Sequence, residues 1–135
     1  MFDNKVAVIV RSDLQTWQKL NVTAFLATGV AGANPDKLGD LYLDAAGRAH
    51  ACMLGQPLMV FTAELDELQA AHRKAGERQL GCAAYVSAMF ETGHDAANRA
   101  VFVAEDPQSL DLVGLAVWGL KKDVDKTLTG LKLHD

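Results

Sequence analysis

The stretch KVAVIVRSDLQTWQKLN, residues 5–21, decides the fold. Val6 to Val10 form a continuous apolar run, mostly β-branched and only five residues long. A strand that short and that uniformly apolar is buried on both faces of a sheet, as happens where helices cover both sides. Thr16 then opens a helix that is expected to reach residue 31. It is apolar over most of its circumference, through Trp17, Leu20, Val22, Phe25, Leu26 and Val30, so it is expected to pack on more than one side. Gly29 and Gly32 are expected to close it, ahead of the loop Asn34-Pro35-Asp36. With Thr16 as its cap, Lys19 falls in the first turn, where the positive end of the macrodipole disfavours a cation. That placement asks for a reason.

Further along, Leu41 to Asp44 and Arg48 to Leu54 flank Asp44-Ala45-Ala46-Gly47, which suits a type I turn and predicts a small hairpin. LMVFTA (58–63) reads as a strand. Residues 64–78 give the clearest helix: Leu65, Leu68, Ala71 and Ala75 share a face. Acidic residues open that helix and Arg73, Lys74 and Arg78 close it, matching the dipole. Cys82 to Val86 is a third main strand. Residues 92–104 read as a helix whose opening, Thr92-Gly93-His94-Asp95, has the form of a capping box. Leu112 to Trp118 is a fourth strand, 121–129 a last short helix, and Leu131 to Leu133 a return to the sheet. Strands alternating with helices predict one domain over residues 1–135, a three-layer α/β/α sandwich around a mixed, mostly parallel sheet of four to five strands.

At 135 residues the chain is long enough to bury a sizeable core, and half apolar with 22% charged residues is a globular composition. Thirteen Lys and Arg against 17 Asp and Glu leave a net charge of −4, which argues against DNA as a partner while leaving room for a local basic cleft. Cys52 and Cys82 form no CxxC, and read as free thiols in a reducing compartment. His50, His72, His94 and His134 show no ligand spacing, so neither a metal nor any other cofactor is expected. The opening MFDNK is charged and polar and the run after it is too short for a signal h-region, so no signal sequence is expected; the longest apolar stretch, Leu112 to Leu120, is less than half a membrane crossing. A cytoplasmic protein without a membrane partner is expected.

In open α/β sheets, ligands bind beyond the carboxyl ends of the strands. Two segments stand there, Arg11 to Asn21 and Ser87 to Asn98. In the first, either Asp13 neutralises Lys19, or Lys19 faces a cleft beside free helix N–H groups and receives a phosphate or carboxylate. The glycines of a P-loop are absent. In the second, either Thr92 and Asp95 merely cap a helix, or His94 works at its positive end, where the neutral, base-competent imidazole is favoured. Lys19, His94 and Asp13 are therefore the candidate catalytic residues, and Arg11, Asn21, Thr92 and Asn98 the candidate ligand-binding ones.

Lys5 to Leu14, a lysine about five residues on, and Thr129-Gly130-Leu131-Lys132-Leu133 resemble type-2 peptidyl-tRNA hydrolases. TWQKLNVTAFLATG, MFETGHDAANR, DLVGLAVWG and KTLTGLKLH resemble, more closely and over nearly the whole chain, a bacterial family of unknown function with the same fold. The hydrolase resemblance implies a small α/β/α domain, often a homodimer, that cleaves an ester linking a peptide to tRNA. It also implies a functional lysine at Lys19 and a carboxylate just past the third strand. Ser87 stands at that second position, and a serine at pH 7 is neither a carboxylate base nor a charge to steady Lys19. Two functions follow. One is a hydrolase of an ester or amide, on a small anionic or tRNA-linked substrate; the other is a non-catalytic module binding an anion, nucleotide or RNA.

Overall fold

Val6 to Val10 are each at most 1% exposed, so the first strand is covered on both faces. The computed structural model describes residues 2–135. Its elements begin with β1 (Asn4–Arg11) and α1 (Thr16–Ala33), followed by a hairpin of β2 (Tyr42–Leu43) and β3 (Ala49–His50). Next come β4 (Leu58–Ala63), α2 (Leu65–Glu77), β5 (Gly81–Val86) and α3 (Asp95–Val103). The chain ends with β6 (Leu112–Leu120), α4 (Lys121–Thr127) and β7 (Lys132–Leu133). The main sheet has the order β5-β6-β1-β4-β7, and the hairpin stands apart from it.

The period of two along β1 builds the layers. Val6, Val8 and Val10 meet Val22, Leu26 and Val30 of α1 on one face. Ala7 and Ile9 meet Leu68, Ala71 and Ala75 of α2 with Val124 and Leu128 beyond α2 on the other. One helix thus covers one face, and α2 with α4 cover the opposite one.

The sheet is mixed, but its pairings are mainly antiparallel, which corrects the expectation of a mostly parallel sheet. Only β1 and β4 pair in parallel; β1–β6, β5–β6 and β4–β7 are antiparallel. The reason lies in α3. At nine residues it spans about 13 Å, and it follows a 3-10 turn, Ser87–Glu91, at the end of β5. It does not carry the chain back along the sheet. The chain re-enters where it left, with Leu112 opposite Val86, so β6 runs back beside β5. It then separates β5 from β1, two strands that point the same way.

Helix ends differ from expectation as well. Gln15, not Thr16, is the N-cap of α1; its N–H donates to the Gln18 side chain at 3.0 Å. Gly29 and Gly32 lie inside the helix, and buried Asn34 ends it, its side chain donating to the Val30 carbonyl at 2.8 Å. Gly29 is small because α1 passes close over β5: a Cβ there would lie 3.1 Å from that of Ala83. The outer side of α1, with Trp17, Leu20 and Phe25, stays more than half exposed. Among the described residues no helix is long and apolar enough to cross a membrane.

Candidate functional site

Past Val86 the chain turns through Ser87–Glu91 and enters α3, while the first half of α1 runs alongside. A cavity of about 330 Å³ opens between them. Its walls are aromatic. Trp17 meets Phe90 edge to face at 5.7 Å between centroids, Phe90 meets Tyr85 at 5.2 Å, and Tyr85 meets Phe25 at 6.1 Å. Trp17, Asn21 and Phe25 come from successive turns of α1, so one amide stands between two rings.

The polar groups are bonded to one another. The Tyr85 hydroxyl donates to Asn21 Oδ1 at 3.2 Å. Burial pushes the Tyr85 phenol up, so it stays protonated and donating. Thr92 Oγ1 donates to Asn98 Oδ1 and also lies 3.0 Å from the Met89 carbonyl. His94 is the N-cap of α3, in place of the expected capping box at Thr92. Its Nδ1 accepts from the Ala97 N–H at 3.2 Å, so the ring proton sits on Nε2. The nitrogen a general base would use is already occupied.

Asn21, Thr92, His94 and Asn98 are thus brought together in one cleft, and Lys19, Asp13 and Arg11 are not among its walls. Asp13 pairs with Arg11, Oδ1 to Nε at 2.7 Å, and not with Lys19. Arg11 also reaches Asp111 at 3.0 Å and the Leu112 carbonyl at 3.3 Å, tying the end of β1 to the start of β6. Lys19 is half-buried; its carbonyl accepts from the Thr23 hydroxyl at 2.8 Å, but its ammonium has no hydrogen-bond or ion partner among the described residues. It projects about 160° away from Asn21 around α1, given 100° per residue. The rings of Trp17, Tyr85 and Phe90 were not foreseen as site residues; the signal was the four-residue spacing of Trp17, Asn21 and Phe25. Among the described residues no three metal-ligating side chains converge.

Fold and site together define a small α/β domain with an aromatic cleft beyond the end of an outer strand. The chain belongs to the family described as protein of unknown function, DUF2000, whose model matches residues 4–135. It is similar to the solved structure of a protein of unknown function, Atu0240, from Agrobacterium tumefaciens strain C58. That similarity has 43% identity and a TM-score of 0.96, with all of both chains covered. No protein with a curated description matches.

Proposed function

We propose that this protein is a binding module for a small, uncharged, planar ligand rich in hydrogen-bond acceptors, such as the carbonyl-bearing ring of a pyrimidine nucleoside. The observation that carries this reading is the direction of the hydrogen bonds in the cleft. Asn21 Oδ1, Asn98 Oδ1 and His94 Nδ1 are all occupied from within the protein. What they leave free are N–H donors: both amide NH₂ groups and His94 Nε2. Exposed Trp17 supplies a face for stacking, worth about 1–3 kcal/mol per base where bases stack on aromatic side chains. Charge does not call for an anion, since Asp95 is the charged side chain at the cleft and Arg99 holds it at 2.8 Å.

Hydrolysis of an ester or amide is supported less well. It would need Lys19, His94 and Asp13 around one reacting bond, and His94 offers a donor there rather than a base. Kinship with the type-2 peptidyl-tRNA hydrolases enters this proposal as a likeness of scaffold, which does not fix activity.

Titration with uridine, read by tryptophan fluorescence, tests the reading. Saturable quenching is expected, and it should disappear in Trp17→Phe, which leaves Trp118 as the other fluorophore. Asn98→Asp turns donors into acceptors and should weaken binding by about tenfold, the equivalent of one lost hydrogen bond. No saturable signal with uridine or its base, or equal binding by Asn98→Asp, would overturn the proposal.

A further inference from the structure

The outer strand β5 has β6 on its inner side; on its other side no main-chain group of residues 81–86 finds a backbone partner among the described residues. In an antiparallel strand alternate residues aim both N–H and C=O away from the neighbour, so β5 presents a ladder of unmade bonds. Proteins usually blunt such edges with lysine, proline or shortness. The opposite edge is treated that way: β7 is two residues long and carries Lys132. β5 is six residues, GCAAYV, with neither charge nor proline, and its single irregularity lies at the far end, between Tyr85 and Val86.

This edge forms the floor of a groove of about 470 Å³. Phe25 and Thr28 of α1 wall it on one face of the sheet, His72 of α2 on the other, and Arg99 and Phe102 of α3 stand at one end. Phe25 is 54% exposed and Phe102 38%, both turned to open space rather than to the core. The charges cancel, with Arg99 paired to Asp95 at 2.8 Å. Burial, and secondarily Arg73, keep His72 neutral.

We infer that the groove receives an extended polypeptide segment with uncharged, mainly apolar side chains, which adds to the sheet as a strand beside β5. The unmade main-chain bonds fit an extended backbone, the neutral walls fit uncharged side chains, and the strand residues lining the groove, Cys82 to Tyr85, offer about 13 Å of pairing. A second copy pairing through its own β5 is the rival occupant, which sedimentation separates from a peptide. The groove shares Phe25, Tyr85, Met89, Asp95 and Asn98 with the aromatic cleft but takes a ligand of different chemistry along the β5 edge, so this inference does not rest on the nucleoside reading.

Selection of a displayed library of random heptapeptides on the intact protein tests it, followed by calorimetry with the synthesised winners. Uncharged sequences rich in β-branched residues are expected. Methylating alternate peptide amides should weaken binding by about tenfold in one register and leave the other within about twofold, because only alternate N–H groups face β5. Thr28→Trp, which fills the groove from α1, should abolish peptide binding and leave the dissociation constant for uridine, read by calorimetry, within about twofold. No enrichment over Thr28→Trp, or indifference to methylation in both registers, would sink the inference. So would a dimer in sedimentation that Thr28→Trp dissociates, since the edge would then belong to a second copy.

Discussion

The guanidinium of Arg11 bonds Asp13 two residues on, and Asp111 and the Leu112 carbonyl a hundred residues on. The arginine side chain is 16% exposed while both carboxylates are open to water, so its loss strands no buried anion but leaves one carbonyl without its donor. Arg11→Ala should therefore cost about 1–3 kcal/mol, the range for leaving a buried polar group without its partner. Arg11→Lys should restore less than half, since an ammonium lacks the planar fork that spans two carboxylates. Urea denaturation measures both, and a loss below about 0.5 kcal/mol would contradict the clamp, being the usual effect of a surface substitution. This contact also shows what sequence reading reaches at the scale of residues. Asp13 reads from the sequence as a partner for Lys19, although Arg11 stands nearer along the chain. The choice of Arg11 depends on where β6 begins, which no local spacing encodes. That Asn21, Thr92, His94 and Asn98 come together in one cleft follows from their place just past the strand ends; the rings between them read equally well as core.

Among the elements, β6 is the one whose place the sequence conceals. Its length and burial follow from its apolar run, but its direction depends on whether α3 crosses the sheet, and nine helical residues after a 3-10 turn do not. Existence and type of each element were legible from periodicity, whereas strand direction was not. What β6 does reveal is how closely α1 lies on it. A Cβ at Gly114 would stand 2.3 Å from Val22 Cγ1 and 2.9 Å from Leu26 Cδ1, both fully within the core. Neither side chain has room to withdraw, because both pack on β1 as well. Gly114→Ala should thus destabilise by about 1–3 kcal/mol through overpacking. Val22→Ala in the same chain should recover part of that loss, a coupling that a double-mutant cycle by thermal denaturation would detect. Additive losses would mean that α1 is not pressed onto β6 at this point.

For the molecule as a whole, the acid side of the stability curve separates the groove from the surface. His72 faces the groove with Cys82, Asp95 and Arg99 around it and Arg73 beside it on α2. Burial first, and Arg73 second, lower its affinity for a proton below the ordinary value of 6.5. The unfolded chain takes up that proton near 6.5 while the folded chain still refuses it, so the unfolded state holds more protons and stability falls as pH falls. The decline ends below the folded value, where both states are protonated, and its slope is at most about 1.4 kcal/mol per pH unit for one group. A second loss belongs to surface carboxylates. Lys121 and Lys5 hold Asp125 below 3.8, and the His50 hydrogen bond does the same for Asp44; these contributions exist above the ordinary value and vanish as pH drops through the lowered ones. His72→Gln should accordingly flatten the curve as pH falls below the ordinary histidine value of 6.5, by no more than the slope just given, and leave the loss that belongs to Asp125 and Asp44 in place. Chemical denaturation at half-unit pH steps on both proteins measures the difference. Parallel curves through 6.5 and just below it would mean that His72 titrates alike in the folded and unfolded chain, and that the groove wall it forms is open to water.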